Sequence, residues 1–96
     1  MPEKKPLEWS PRAQRNIESI RDYIAVDNPV AAQSVLGEIR RVAESLRNFP
    51  MMGHAGERVG TRELVLSKYP YTLIYRLTPK KIGIVAVTHQ SRKYLS

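Results

Sequence analysis

Cysteine is absent from the 96 residues, which excludes both a disulfide framework and a thiolate metal site. Histidine occurs only as His54 and His89, too few for a zinc site unless carboxylates complete it. No apolar run approaches the roughly 20 residues that span a bilayer, so no membrane role is expected. Met1 to Lys5 carries positive charge with no apolar stretch behind it, unlike a secretory leader. The cytoplasm is the expected compartment. A chain this short buries only about two-thirds of its unfolded surface. It therefore reads as one domain, 1–96, that works through a surface or shallow groove rather than a deep site.

Acidic residues are scarce in one region only. Up to Gly60, nine Lys and Arg face eight Asp and Glu. From Thr61 onward, Arg62, Lys68, Arg76, Lys80, Lys81, Arg92 and Lys93 face Glu63 alone, a balance of +6 within a net +7. Like charges gathered in this way cost stability unless an acidic partner compensates, so the C-terminal third is expected to bind one. The apolar fraction of 42% is enough for a packed core and does not fit a disordered polyelectrolyte.

Local patterns divide the chain into elements. Lys5 to Trp9 alternates apolar and polar residues and predicts a short edge strand. Ser10-Pro11 supplies a cap and a first-turn proline, and Ala13, Ile17, Ile20 and Ile24 then form one helical stripe. Asn28-Pro29 repeats the capping signal, and a second stripe runs through Ala32, Val35, Ile39, Val42, Leu46 and Phe49. So short a connection makes the two helices an antiparallel hairpin. Met51 to Gly60 reads as a loop because of Gly53, Gly56 and Gly60. Strands are predicted over 62–66, 71–78 and 82–89, with turns short enough for an antiparallel meander. Leu64, Leu66, Leu73, Tyr75 and Leu77 should share the face that packs on the helices. The fold class is α+β in the order β-α-α-β-β-β: an N-terminal strand and a helical hairpin packed on a C-terminal antiparallel sheet.

Several segments together resemble the RelE/ParE superfamily, the toxins of bacterial type II toxin–antitoxin modules. They are Tyr23 to Pro29 with Ala31-Ala32, Phe49 to Gly53, Gly60 to Leu64, Pro70 to Arg76 and Val87 to Arg92. Their order and spacing carry the resemblance over almost the whole chain. It implies the architecture just described, no cofactor or metal, and neutralisation by a cognate antitoxin with an acidic, disorder-prone segment in a toxin–antitoxin hetero-oligomer. RelE-like members cut mRNA on the ribosome, whereas ParE-like members inhibit DNA gyrase by binding.

The residues favour the ParE branch. The strand at Arg62 to Leu66 has no lysine where RelE-like chains carry a pair, and Thr72 stands where they place an arginine. The target-binding surface is expected at Arg62, Arg76, His89, Arg92 and Lys93. If the chain is a nuclease instead, His89 would transfer protons, Arg62, Arg76 and Arg92 would hold phosphate, and Tyr94 would stand in for a C-terminal tyrosine. Bland roles fit the same residues. His89 can hydrogen-bond at a strand end, Arg76 can pair with Glu63, and Tyr71 and Tyr75 suit a core better than base stacking. His54 is read as incidental, and a relative that has lost toxicity but still binds an antitoxin remains a third reading.

Overall fold

A computed structural model describes residues 4–90, and Arg92, Lys93 and Tyr94 lie outside them. Strand β1 (Leu7–Trp9) leads into helix α1 (Pro11–Ala25) and helix α2 (Pro29–Ser45). Strands β2 (His54–Ala55), β3 (Arg62–Val65), β4 (Tyr71–Leu77) and β5 (Ile82–His89) follow. Both helices begin as their caps predict. Ser10 Oγ accepts the Ala13 N–H at 3.0 Å, and Asn28 Oδ1 accepts that of Ala31 at 3.0 Å. A proline occupies the first turn of each, where no backbone donor is needed.

The five strands form one sheet in the order β1-β5-β4-β3-β2. Here one expectation is completed and one corrected. The sheet is mixed, because β1 pairs with β5 in parallel, Leu7 opposite Ile82 and Trp9 opposite Ile84. The region expected to be wholly loop also contributes β2, which pairs His54 with Glu63 and Ala55 with Arg62. Both pairings join segments distant in sequence or only two residues long, which local alternation does not reveal. The antiparallel meander of β3, β4 and β5 forms as predicted.

The helices cover one sheet face. Ala13 and Ile17 of α1 join Val35, Ile39 and Ala43 of α2 in a cluster with Leu73, Tyr75, Ile82, Ile84 and Val87. Leu66 is buried in the same cluster, with Leu64 and Leu77 packed against it, so the predicted face is observed. Fully burying each large side chain contributes about 1.5–3 kcal/mol, which makes this layer the main source of stability. An irregularity between Ile74 and Tyr75 pairs them with Ala86 and Ile84 and passes over Val85. The extra residue flips the alternation of β5, so Ile84 and Val87 both face the helices. His89, two residues beyond Val87, falls on that face too.

One stripe position departs from its spacing. Leu46 is fully buried, but Phe49 is 64% exposed because α2 stops at Ser45 and the chain turns away. No helix among the described residues is long and apolar enough to cross a membrane.

Candidate functional site

The three candidate residues that fall among the described ones, His89, Arg62 and Arg76, lie at separate places. His89 ends β5 directly opposite Tyr71, and the two rings meet edge to face with centroids 5.4 Å apart. Beside them opens a groove of about 660 Å³ between α1 and the end of β5, lined by Asn16, Ile20, Tyr23, Tyr71, Val87 and His89 among others. Its wall is fixed by the Val87 N–H, which donates to Asn16 Oδ1 at 3.0 Å. This bond gives the backbone of β5 a partner beyond the point where β1 has ended.

Arg62 sits elsewhere. It pairs with Tyr75 across β3 and β4, and its Nη2 donates to the carbonyls of Met51, at 3.1 Å, and Gly53. The guanidinium is therefore engaged in holding the segment that follows α2, and its buried Nε has no hydrogen-bond partner. Tyr71, opposite His89, and Tyr75, opposite Arg62, are four residues apart on β4, with β5 and β3 on either side. Strand geometry then separates Arg62 and His89 by about 15 Å.

Arg76 is on the opposite face. It alternates with the core residue Tyr75, is exposed, and lies over the loop before β3, where a Cβ on Gly60 would approach its Nη1 to 3.1 Å. Gly60 has φ +83°, a conformation that glycine adopts without cost. Glu63 shares this face and is buried, its Oε2 accepting the Glu57 N–H at 3.3 Å.

The structure thus does not bring Arg62, Arg76 and His89 to one point. The helix-free face of β3, β4 and β5 carries Glu63, Val65, Thr72, Ile74, Arg76, Ala86 and Thr88, mostly apolar or hydroxyl groups. The hydroxyls of Thr72 and Thr88, opposite each other in register, are buried without hydrogen-bond partners. No group of His, Asp and Glu able to hold a metal ion occurs among the described residues. Asn16, which shapes the groove, was not singled out from sequence, and Tyr23 was named only within a family-like segment, not as a site residue. The available signal was Tyr23 on the flank of the α1 stripe, three residues beyond Ile20, and it is 78% exposed.

A β-strand, a helical hairpin and a mixed sheet with this order make up the fold also found in solved toxin–antitoxin systems. A family model described as the ParE toxin of the type II toxin–antitoxin system parDE matches residues 7–94. The chain therefore belongs to the ParE toxin family.

Two relatives are also named as toxins. The chain is 34% identical to the Sinorhizobium fredii protein Y4kP over 91 residues, 95% of this chain and 94% of that one. It is 33% identical to toxin RelE2 of Caulobacter vibrioides over 84 residues, 88% of this chain and 93% of that one. Among solved structures, the chromosomal ParDE toxin–antitoxin system of Pseudomonas aeruginosa superimposes with a TM-score of 0.81 at 24% identity, covering 90% of this chain and 96% of that one. The RelBE2 toxin–antitoxin complex of Mycobacterium tuberculosis gives a TM-score of 0.64 at 19% identity, covering 91% and 99%. At such identities the structural likenesses bear on the fold alone.

Proposed function

We propose that this chain is a toxin that inhibits DNA gyrase by binding, and that a cognate antitoxin keeps it silent. The observation that carries the reading is the dispersal of its ionisable groups. RNA cleavage without a metal needs a proton acceptor, a proton donor and cations around one phosphate. Arg62, Arg76 and His89 lie in different places, and the helix-free face has Thr72 where RelE-like chains place an arginine. Binding asks only for complementary surface and field, which a basic C-terminal third supplies. Arg92 and Lys93 would extend that field.

An antitoxin segment bearing Asp and Glu would neutralise the charge, and the groove beside Tyr71 and His89 offers it an apolar floor. The partner expected is a small protein encoded alongside, bound in a hetero-oligomer. The test is a supercoiling assay with purified gyrase. Wild-type protein should inhibit supercoiling or trap cleaved DNA, and the antitoxin should reverse both effects. Unimpaired supercoiling without trapped cleavage would sink the proposal.

His89, and the name of the Caulobacter relative, favour one second reading: a ribosome-dependent mRNA endonuclease in which His89 transfers protons and Tyr94 assists. Toeprinting of translated mRNA would then reveal codon-associated cuts that His89→Ala and Arg62→Ala abolish. Growth unaffected by induced expression without antitoxin would instead favour a relative that only binds its antitoxin.

A further inference from the structure

One rim of the molecule combines apolar and cationic side chains outside the groove. Phe49, Met51 and Met52 are exposed by 64%, 65% and 46%. The backbone that carries them is pinned from below. Tyr75 donates its hydroxyl proton to the Pro50 carbonyl at 2.9 Å and accepts the Gly53 N–H at 2.9 Å. Arg62 donates to the carbonyls of Met51 and Gly53. A segment held in this way has little conformational freedom left to lose, which is where an exposed apolar side chain adds most to binding.

Cations adjoin it through a chain of contacts. Arg47, two residues before Phe49, donates to the Lys5 carbonyl at 3.0 Å. Lys5 Nζ reaches the Thr78 carbonyl at 2.9 Å, and the Thr78 hydroxyl bonds the Lys81 backbone in the β4–β5 turn. That turn also carries Lys80. Two carboxylates answer them, Glu44 on Arg47 at 3.2 Å and Glu8 on Lys81 at 2.8 Å. Both pairs are substantially exposed, so they screen the field weakly and reorganise readily.

We propose that this rim docks a protein partner whose matching surface is acidic around an apolar pocket. The cationic excess selects an acidic surface. The apolar group selects protein over nucleic acid: two thioethers fill irregular apolar pockets, and a single aromatic makes a poor stacking platform for successive bases. The inference rests on the reading of the chain as a toxin that acts by binding, and makes the partner its target. The groove lies at the other end of β4, six residues and about 20 Å away, so mutation can separate the two surfaces.

Two double variants test it, Phe49→Ser with Met51→Ser and Lys80→Glu with Lys81→Glu. All four side chains are exposed and remote from the groove, so both variants should fold and co-purify with the antitoxin, the lysine pair melting only slightly lower because Lys81→Glu sets a like charge against Glu8. Purified gyrase is titrated with wild type and variants at low and high salt, and growth arrest is scored after expression without antitoxin. Each variant should weaken gyrase binding about tenfold or more, with the lysine effect shrinking in salt, and should relieve arrest. Variants that bind gyrase and arrest growth like wild type overturn the rim alone. If wild type leaves gyrase unbound, the gyrase reading fails, and arrest that both variants relieve still supports the rim. Wild type that neither binds gyrase nor arrests growth overturns both. Retention of naked DNA or RNA, lost with the lysine pair but kept without Phe49 and Met51, overturns the protein partner.

Discussion

The Tyr75 hydroxyl accepts the backbone N–H of Gly53 at 2.9 Å, joining the centre of the sheet to the segment that leaves α2. The same oxygen donates to Pro50, and both Tyr75 and Gly53 are buried. A Cβ on Gly53 would lie 2.6 Å from that oxygen and 2.7 Å from the Glu63 carbonyl. Tyr75→Phe leaves a buried donor and a partly buried acceptor without that partner, and should cost about 1–3 kcal/mol. Gly53→Ala should cost at least as much, because one of the opposing atoms is backbone and cannot swing aside. Urea unfolding of both variants checks this, and a Gly53→Ala protein as stable as wild type would refute it.

The parts of this fold that were legible in sequence are those set by neighbours along the chain. Ser10-Pro11 and Asn28-Pro29 start helices through bonds three residues long, and the stripe from Ala13 to Ile24 follows from helical period alone. The parallel pairing of β1 with β5 spans about 75 residues and leaves no local trace. Nor does the extra residue at Val85, which decides that His89 meets Tyr71 rather than the helix-free face. Phe49 obeyed the helical period yet lies exposed, because the Tyr75 hydroxyl and Arg62 hold the chain after α2 on another course. The cationic bias of the last third was visible from composition, whereas the dispersal of Arg62, Arg76 and His89 over two faces required register.

Ser10 carries more than a cap. Its hydroxyl accepts from Ala13 and donates to the Val85 carbonyl at 2.8 Å, so it ties α1 to the irregular part of β5. Asn28, by contrast, caps α2 at an exposed turn. Ser10→Ala should therefore cost about 2 kcal/mol and Asn28→Ala about 1 kcal/mol. For a domain of this size each kilocalorie corresponds to roughly 4–8 °C in Tm. Equal melting shifts for the two variants would contradict the second role of Ser10.

On α2, the Arg41 fork binds both oxygens of Glu38, at 2.8 and 2.7 Å. That pairing holds the Glu38 carboxyl below its ordinary value and raises Arg41 correspondingly. A carboxylate depressed in the folded state stabilises above its unfolded pKa, and the benefit disappears as pH falls through the folded one. Arg41→Gln should therefore lower Tm slightly at neutral pH and leave it unchanged in acid, with the difference suppressed by salt. Melting curves from pH 7 to pH 2 test the sign, and a variant that loses stability only in acid would reverse it.

Asn16 links stability to the groove. Its Oδ1 takes the Val87 N–H, which lies beyond the reach of β1, and its side chain forms part of the groove wall. Asn16→Ala leaves that N–H without its protein acceptor at a partly buried site and should cost about 1 kcal/mol. Asn16→Asp keeps the acceptor oxygen and should retain most of the stability. Hydrogen exchange at the Val87 amide separates the two cases, since protection should fall in Ala and persist in Asp. If the groove seats an acidic antitoxin segment, Asn16→Asp should nevertheless weaken antitoxin binding through like-charge repulsion. An Asp variant that keeps its protection and binds the antitoxin as wild type does would leave the groove without that role.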